Sequence, residues 1–318
     1  DAITSEQIKR ILEPAGKLYT MLKIDEGDTL GAARIRLRSL FAAVEDRRQH
    51  QNSCATGEQP IVFYPKKKDE PKVDIKKLKT IYVPQMAPIH FPILESTLKS
   101  LGYQARLLPE VRPEALQLGL RYVNNDACYP AIVVIGQLLD EVINGDFDPQ
   151  TSGLLLAQTC GPCRATNYAT LLKWALRDLH MENVPVITIS THKIEGSQHL
   201  DLGIKGIHRL IVGLLYGDLL QKVYLNLRAY EAEKGTADKL LAKWTEIARR
   251  DVAEPVSVFK QNVHRLVADF AAAPRLPVVK PRVGIVGEIL LKYHPQANLH
   301  IIEEILAQGA EPCLGDIS

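Results

Sequence analysis

Three of the chain's five cysteines lie in two short polar segments, each next to an apolar run. Cys128 lies in residues 124–130, and Cys160 and Cys163 lie in residues 158–168. Thiolate sulfur is the ligand that iron–sulfur clusters and other soft metal sites prefer. The two segments therefore predict a soft-metal or iron–sulfur site, built on loops at the edge of a buried α/β framework.

The Cys160-Gly161-Pro162-Cys163 turn is compatible with more than one chemistry. Its spacing lets both sulfurs face one iron site, but it is also the pattern of a redox dithiol and of half a zinc knuckle. A cluster held by Cys128, Cys160 and Cys163 would leave one iron open, as a catalytic centre requires. Zinc at these thiols, and thiols that bind no metal, are the alternatives.

Polar residues beside the cysteines are candidates for tuning such a site. Arg164 could offset the negative charge of a reduced cluster or bind a phosphate or carboxylate, although an ordinary surface arginine fits the sequence equally well. Tyr129 and Asn167 flank the same loops, and hydrogen bonds from them to cluster sulfurs would tune its potential. Helix capping is the alternative role for Asn167.

Composition and charge indicate an ordinary soluble globular protein. The 318 residues are 46% hydrophobic and 24% charged, with a formal net charge of +2. These values give no reason to expect nucleic acid or a membrane surface as a partner. No uninterrupted apolar run approaches the roughly 18 residues of a membrane span. Because five cysteines are an odd number, reduced thiols in a cytoplasmic protein are favoured over a disulfide scaffold.

Short apolar runs that alternate with amphipathic helices predict the framework from residue 79 onward. Strands are predicted at 80–84, 104–108, 153–157 and 184–190, and helices at 91–101, 130–143 and 167–179. This order predicts an α/β fold with a doubly wound parallel sheet, in which ligands collect beyond the carboxyl ends of strands. Cys160 and Cys163 follow the strand at 153–157, where that rule places chemistry.

Other regions flank this sheet domain. Residues 1–60 have a helical pattern and form an N-terminal segment and linker, and residues 61–195 form the α/β domain. Helical periodicity dominates residues 196–277, and a second α/β unit starts at 278, with strands at 283–288 and 311–314 around a helix at 298–308. The chain begins at Asp1 without methionine and stops at Ser318 just after a strand, so we expect it to be part of a longer protein.

Four segments carry a family resemblance. They are residues 122–130 (YVNNDACYP), 163–168 (CRATNY), 216–220 (YGDLL) and 284–289 (GIVGEI). Together they resemble the large activase-related proteins of the 2-hydroxyacyl-CoA dehydratase family. More narrowly, the chain from about Lys79 onward resembles the C-terminal region of those proteins, which is itself similar to the dehydratase subunits and to the double-cubane cluster proteins.

The resemblance implies a flavodoxin-like α/β fold and an oxygen-sensitive iron–sulfur cluster, of the 4Fe-4S or double-cubane type, held by cysteines. It also implies an ATP-hydrolysing activator as partner. In the dehydratases the activator passes a low-potential electron to the cluster, which reduces a CoA thioester to a ketyl radical so that water can leave. An acyl-CoA or another small substrate is implied by the same analogy, and a homodimer is compatible with it.

The resemblance also bears on individual cysteines. Related dehydratases draw one ligand from the second α/β half, where Cys313 is the available cysteine. Its alternative role is that of a small buried strand residue. The position of Cys160 is often glycine in the relatives.

The function favoured by these observations is an iron–sulfur electron-transfer or reductase component that receives low-potential electrons from an ATP-dependent activator. The alternative, from another class, is a non-catalytic interaction or regulatory domain of a CoA-enzyme activase, with thiols that bind zinc or no metal. The sequence contains no phosphate-binding loop and no serine nucleophile motif. We therefore expect the ATPase part of the family's large proteins to lie outside this chain.

Overall fold

The structure is a computed structural model, and its contacts divide the chain into two units, Asp1–Pro71 and Lys72–Ser318. It describes residues 8, 10–12, 15–20, 22, 31–50, 73–123, 127–159, 163–189 and 198–317, without the side chains of 31–33 and 46–50. In the first unit the main described element is helix α1, Gly31–His50, which lies within the predicted helical segment. Cys160 lies outside the described residues.

The second unit contains a five-stranded sheet. Its strands are β1 (Thr80–Val83), β2 (Ala105–Leu107), β3 (Ser152–Ala157), β4 (Val186–Ile189) and β5 (Gln198–His199). The strand order is β2-β1-β3-β4-β5, and every neighbouring pair is parallel. This confirms the predicted flavodoxin-like, doubly wound α/β fold. The direction of winding reverses between β1 and β3, so the ligand crevice of such a fold is expected beyond their carboxyl ends.

Four helices connect the strands of this sheet. They are α2 (Phe91–Ser100), α3 (Pro113–Tyr122), α4 (Tyr129–Asn144) and α5 (Tyr168–Asp178), and a 3-10 turn at Arg164–Asn167 precedes α5. Every residue of α4 from 130 to 140 is buried. A helix that is apolar on all sides belongs in a core, and α4 packs between α3 and α5 there. Its first residue directly follows Cys128, so a buried helix fixes the position of that cysteine.

Three long helices follow the sheet. Helices α6 (Gly203–Tyr230), α7 (Thr236–Asp251) and α8 (Val256–Ala272) pack with α2 around a second core that contains Tyr216 and Trp244. By length and composition α6 could cross a membrane, but 50% of its most apolar window is buried inside the fold.

A second, two-stranded sheet ends the chain. Strands β6 (Arg282–Ile285) and β7 (Glu311–Leu314) are parallel, with helices α9 (Ile289–Tyr293) and α10 (Ile301–Ala307) between them. This is the predicted second α/β unit, with α9 as an addition. Leu290 of α9 is fully buried in the main core beside the first sheet. The residues just before Leu290 therefore lie in the same part of the molecule as α4 and α5.

Candidate functional site

Cys128 is the N-cap residue of α4. Its backbone is extended, and its carbonyl oxygen accepts hydrogen bonds from the backbone N–H groups of Ala131, at 3.0 Å, and Ile132, at 3.4 Å. The thiol is half-buried, and its Sγ lies 3.1 Å from the Tyr168 Oη atom. A helix N-terminus carries partial positive charge, so the start of α4 presents a positive potential where Cys128 lies.

Cys163 likewise lies directly before a helical segment. It is the N-cap residue of the 3-10 turn that leads into α5, and its carbonyl oxygen accepts from the Thr166 N–H at 3.2 Å. The buried Gln158 side chain closes the loop, because its Nε2 donates to the Thr166 carbonyl oxygen at 2.7 Å. The Gln158 N–H donates to the Ile189 carbonyl oxygen at 2.9 Å, which ties the loop to β4. Cys163 is therefore an exposed thiol on a loop with fixed ends.

Tyr168 connects the two cysteine loops. Its ring is buried in the main core, and its hydroxyl reaches Cys128. Burial raises the pKa of Tyr168 far above its usual value, and the hydrogen bond to Cys128 and the charges of Cys128, Cys163 and Glu288 raise it further. The hydroxyl therefore keeps its proton and donates to Cys128 when that residue is a thiolate.

Glu288 belongs to the second α/β unit. It is the N-cap residue of α9, and its carboxylate accepts from the Leu291 N–H at 3.3 Å. Its charge acts on the Tyr168 hydroxyl together with those of the two cysteines. Three groups that are far apart in the sequence thus act on one buried hydroxyl, Cys128 by direct contact and Cys163 and Glu288 through their charges.

The other predicted site residues have different surroundings. Tyr129 is 37% exposed at the first position of α4, and Arg164 is exposed in the 3-10 turn. Asn167 occupies the cap position of α5, but its side chain makes no capping hydrogen bond to that helix. The capping role therefore does not account for Asn167.

Cys313 is placed in another group of residues. It lies in β7, and its Sγ lies 3.9 Å from the Glu311 carbonyl oxygen. Hydrogen bonding to Cys313 is the main reason why the pKa of Arg282 is raised. None of the described contacts of Cys313 is with Cys128 or Cys163. Across the described part of the chain, moreover, no three His, Cys, Asp or Glu side chains lie close enough together to hold one metal ion.

The sequence did not reveal a buried His90–Asp218 pair. His90 follows β1, is fully buried, and has its Nε2 3.0 Å from the Asp218 Oδ1, which also accepts from the Ile317 N–H at 2.7 Å. Burial lowers the pKa of His90 more than Asp218 raises it, so the ring is neutral and donates through Nε2. The pair joins the β1 loop, α6 and the segment after β7.

Gly217 makes room for this pair. A Cβ atom at Gly217 would overlap the His90 ring, so the ring can lie on α6 only where a side chain is missing. Tyr293 also contacts the His90 ring, in an edge-on arrangement with 5.6 Å between ring centroids. Two sequence signals could have pointed here: the YGDLL segment at 216–220, and a histidine in the loop after a predicted strand.

Asp218→Ala should lower the free energy of unfolding by about 2 kcal/mol, because it leaves two donors, His90 Nε2–H and Ile317 N–H, without their acceptor. Urea unfolding followed by circular dichroism measures this. Asp218→Asn keeps an Oδ1 acceptor and should recover more than half of the loss. The exposed Asp238→Ala, a surface control, should cost about 1 kcal/mol or less. Equal losses for Asp218→Ala and Asp238→Ala would contradict the assigned role.

Taken together, these observations define a flavodoxin-like α/β protein in which Cys128 contacts the Tyr168 hydroxyl and the charge of Cys163 acts on the same hydroxyl. No protein-family model, no curated protein and no solved structure matches this chain.

Proposed function

We propose that this protein is an iron–sulfur electron-transfer or reductase component related to the 2-hydroxyacyl-CoA dehydratases. The observation that carries the proposal is the Tyr168 hydroxyl, which lies 3.1 Å from the Cys128 Sγ and is also acted on by the charge of Cys163. These two thiols come from separate loops at the carboxyl edge of a doubly wound sheet, where such folds hold their ligands.

The sulfur atoms of Cys128 and Cys163 are donor atoms of the type that binds an iron–sulfur cluster. Thiolates are the usual cluster ligands, and outer hydrogen bonds to their sulfurs are a recognised means of tuning the potential. Cys128 and Cys163 would hold the cluster, and Cys160 stays a predicted further ligand. When bound, a cluster of this class would supply one-electron chemistry at low potential.

The chain's own residues have defined roles in this proposal. The N-terminus of α4 stabilises negative charge at Cys128, and the Tyr168 hydroxyl orients that sulfur by donating to it. Gln158 holds the Cys163 loop on β4. Exposed Arg164, beside Cys163, is suited to bind an anionic group of a substrate or partner.

The partners belong to the same proposal. An ATP-hydrolysing activator supplies the electrons, an acyl-CoA or another small molecule is the substrate, and the protein works in the cytoplasm, with a homodimer as a compatible assembly. The exposure of Cys163 supports delivery of electrons from outside, because a partner can approach that thiol without opening the fold.

One observation favours the alternative, a non-catalytic interaction domain whose thiols bind zinc or no metal. In the residues that the structure describes, no three ligand-type side chains converge on one point. In that case the hydrogen bond from Tyr168 would only stabilise the position of a structural cysteine.

Metal content separates the two functions. Protein purified and reconstituted without oxygen should contain about four irons per chain with matching acid-labile sulfide, and its colour should bleach with dithionite. Stoichiometric zinc, or no metal even after reconstitution, would instead support the interaction domain. Because air destroys exposed clusters, a sample of the same preparation held in air should lose iron and sulfide together.

A further inference from the structure

A cavity of about 380 Å³ lies between the two-stranded sheet and helices α6 and α8. Its volume falls within the range of small-molecule sites, roughly 300–1,000 Å³. Its wall contains Cys313 but neither Cys128 nor Cys163, so it is a different place from the candidate site at Tyr168. The proposed function leaves it without a role.

Three cationic side chains line the cavity: Lys222 of α6, Arg275 after α8 and Arg282 of β6. Arg275 is held in place because it donates from Nη1 to the Asn226 Oδ1 at 2.7 Å and from Nη2 to the Phe270 carbonyl oxygen at 3.3 Å. A guanidinium has about five N–H donors, so these two bonds fix its plane without using them all. Arg282 keeps 72% of its side chain exposed.

The buried acid of the cavity is already satisfied by the protein. Glu311 is only 6% exposed, and its carboxylate accepts from the Asn226 Nδ2 at 2.9 Å and the Tyr230 Oη at 3.1 Å. Arg282 Nε lies 3.6 Å from the same carboxylate. Glu311 thus holds Asn226, which in turn accepts from Arg275, and it lies beside Arg282. The remaining lining carboxylate, Asp316, is outnumbered by the three cations.

The rest of the wall is mainly apolar. Leu225, Val267, Phe270 and Leu314 line it, and Val267 leaves 42% of its surface exposed. An apolar wall beside a few fixed polar groups is the usual composition of a small-molecule site. The cationic side chains favour an anionic ligand, and the apolar wall favours a ligand with a hydrocarbon part.

We propose that this cavity binds a small carboxylate that has a short apolar body. The carboxylate lies against Arg275 and Arg282, with Lys222 at the rim, and the hydrocarbon part lies on Val267 and its apolar neighbours. Cys313, in the same wall, is covered when the ligand is bound. This site lies beyond the proposed cluster function and does not depend on it.

Hexanoate is a suitable probe, with hexan-1-ol as the uncharged match and inorganic phosphate as the anion without a hydrocarbon part. Isothermal titration calorimetry should show hexanoate binding that is stronger than that of either control. Arg282→Gln removes an exposed cation and should weaken hexanoate binding roughly tenfold, as expected for one charged hydrogen bond. Arg265→Gln, at an exposed site on α8 outside the cavity, should bind like the wild type.

Alkylation of Cys313 gives a second readout. Iodoacetamide labelling, located by peptide mass spectrometry, should slow at Cys313 in the presence of hexanoate and stay unchanged at Cys313 in the presence of hexan-1-ol. The proposal fails if hexanoate does not bind, if hexan-1-ol or phosphate binds and protects equally well, or if Arg282→Gln binds as tightly as the wild type. None of these results depends on iron content, so the cluster proposal is judged separately.

Discussion

Alanine at Cys128 should leave anaerobically prepared protein almost without iron, and alanine at Cys163 should do the same. Each substitution removes one of at most a few thiolates on which the cluster depends. Iron and acid-labile sulfide per chain, compared with wild type in one reconstitution series, measure the effect. Full iron in both variants would exclude a cluster at this centre.

Tyr168→Phe is the matched control for Cys128→Ala, because it removes only the hydroxyl that contacts the same sulfur. It should keep its iron, since the ring stays in the core and both thiols remain. Its reduction potential should fall, because the lost hydrogen bond stabilised the more negative, reduced state. If the hydrogen bond stabilises the reduced state by about 1.4 kcal/mol, its removal lowers the reduction potential of the one-electron couple by about 59 mV. An unchanged potential would mean that the hydroxyl does not reach the cluster.

Cys313→Ala tests whether the second α/β unit, which contains Cys313, supplies a cluster ligand. The structure places Cys313 beside Arg282 in the wall of another cavity, so we expect iron to be retained in this variant. Loss of iron would restore the prediction from the family resemblance, in which Cys313 completes the ligand set.

The sheet was predictable because its strands are continuous apolar runs. Strands β1, β3 and β4 are buried along most of their length, and such runs between turn residues leave little alternative to a parallel sheet. Strand β5 has only two residues, so it carries no detectable pattern. Helix α3 was missed because Pro113 and Gly119 interrupt its sequence like turn residues, whereas the first begins the helix and the second allows close packing.

The candidate site was predictable in part. The two cysteine segments next to buried elements predicted a site at the carboxyl edge of the sheet; in the structure Cys128 contacts the Tyr168 hydroxyl, and the charge of Cys163 acts on that hydroxyl. The charge that Glu288 exerts on Tyr168 depends on how α9 packs by Leu290 into the main core. The His90–Asp218 pair spans 128 residues, and no periodicity in a sequence encodes a contact of that kind.

Alanine at Gly136 should destabilise the fold by about 3 kcal/mol, the upper part of the usual range for overpacking. Helices α3 and α4 cross at backbone contact: a Cβ atom at Gly136 would overlap the Ala115 carbonyl oxygen, and one at Gly119 would overlap that of Ile132. Backbone atoms cannot rotate away as a flexible side chain can, so the two helices must separate. Urea unfolding measures the loss.

The sign of this effect distinguishes packing from local propensity. In an exposed helix, glycine to alanine is expected to stabilise by about 1 kcal/mol, so propensity alone predicts the opposite result. Gly284→Ala in β6 is the control, because its added Cβ meets no described atom within 4 Å and should change stability by about 0.5 kcal/mol or less. If Gly136→Ala stabilises the protein, the helices have room to adjust, and the close crossing does not fix Cys128 at the start of α4.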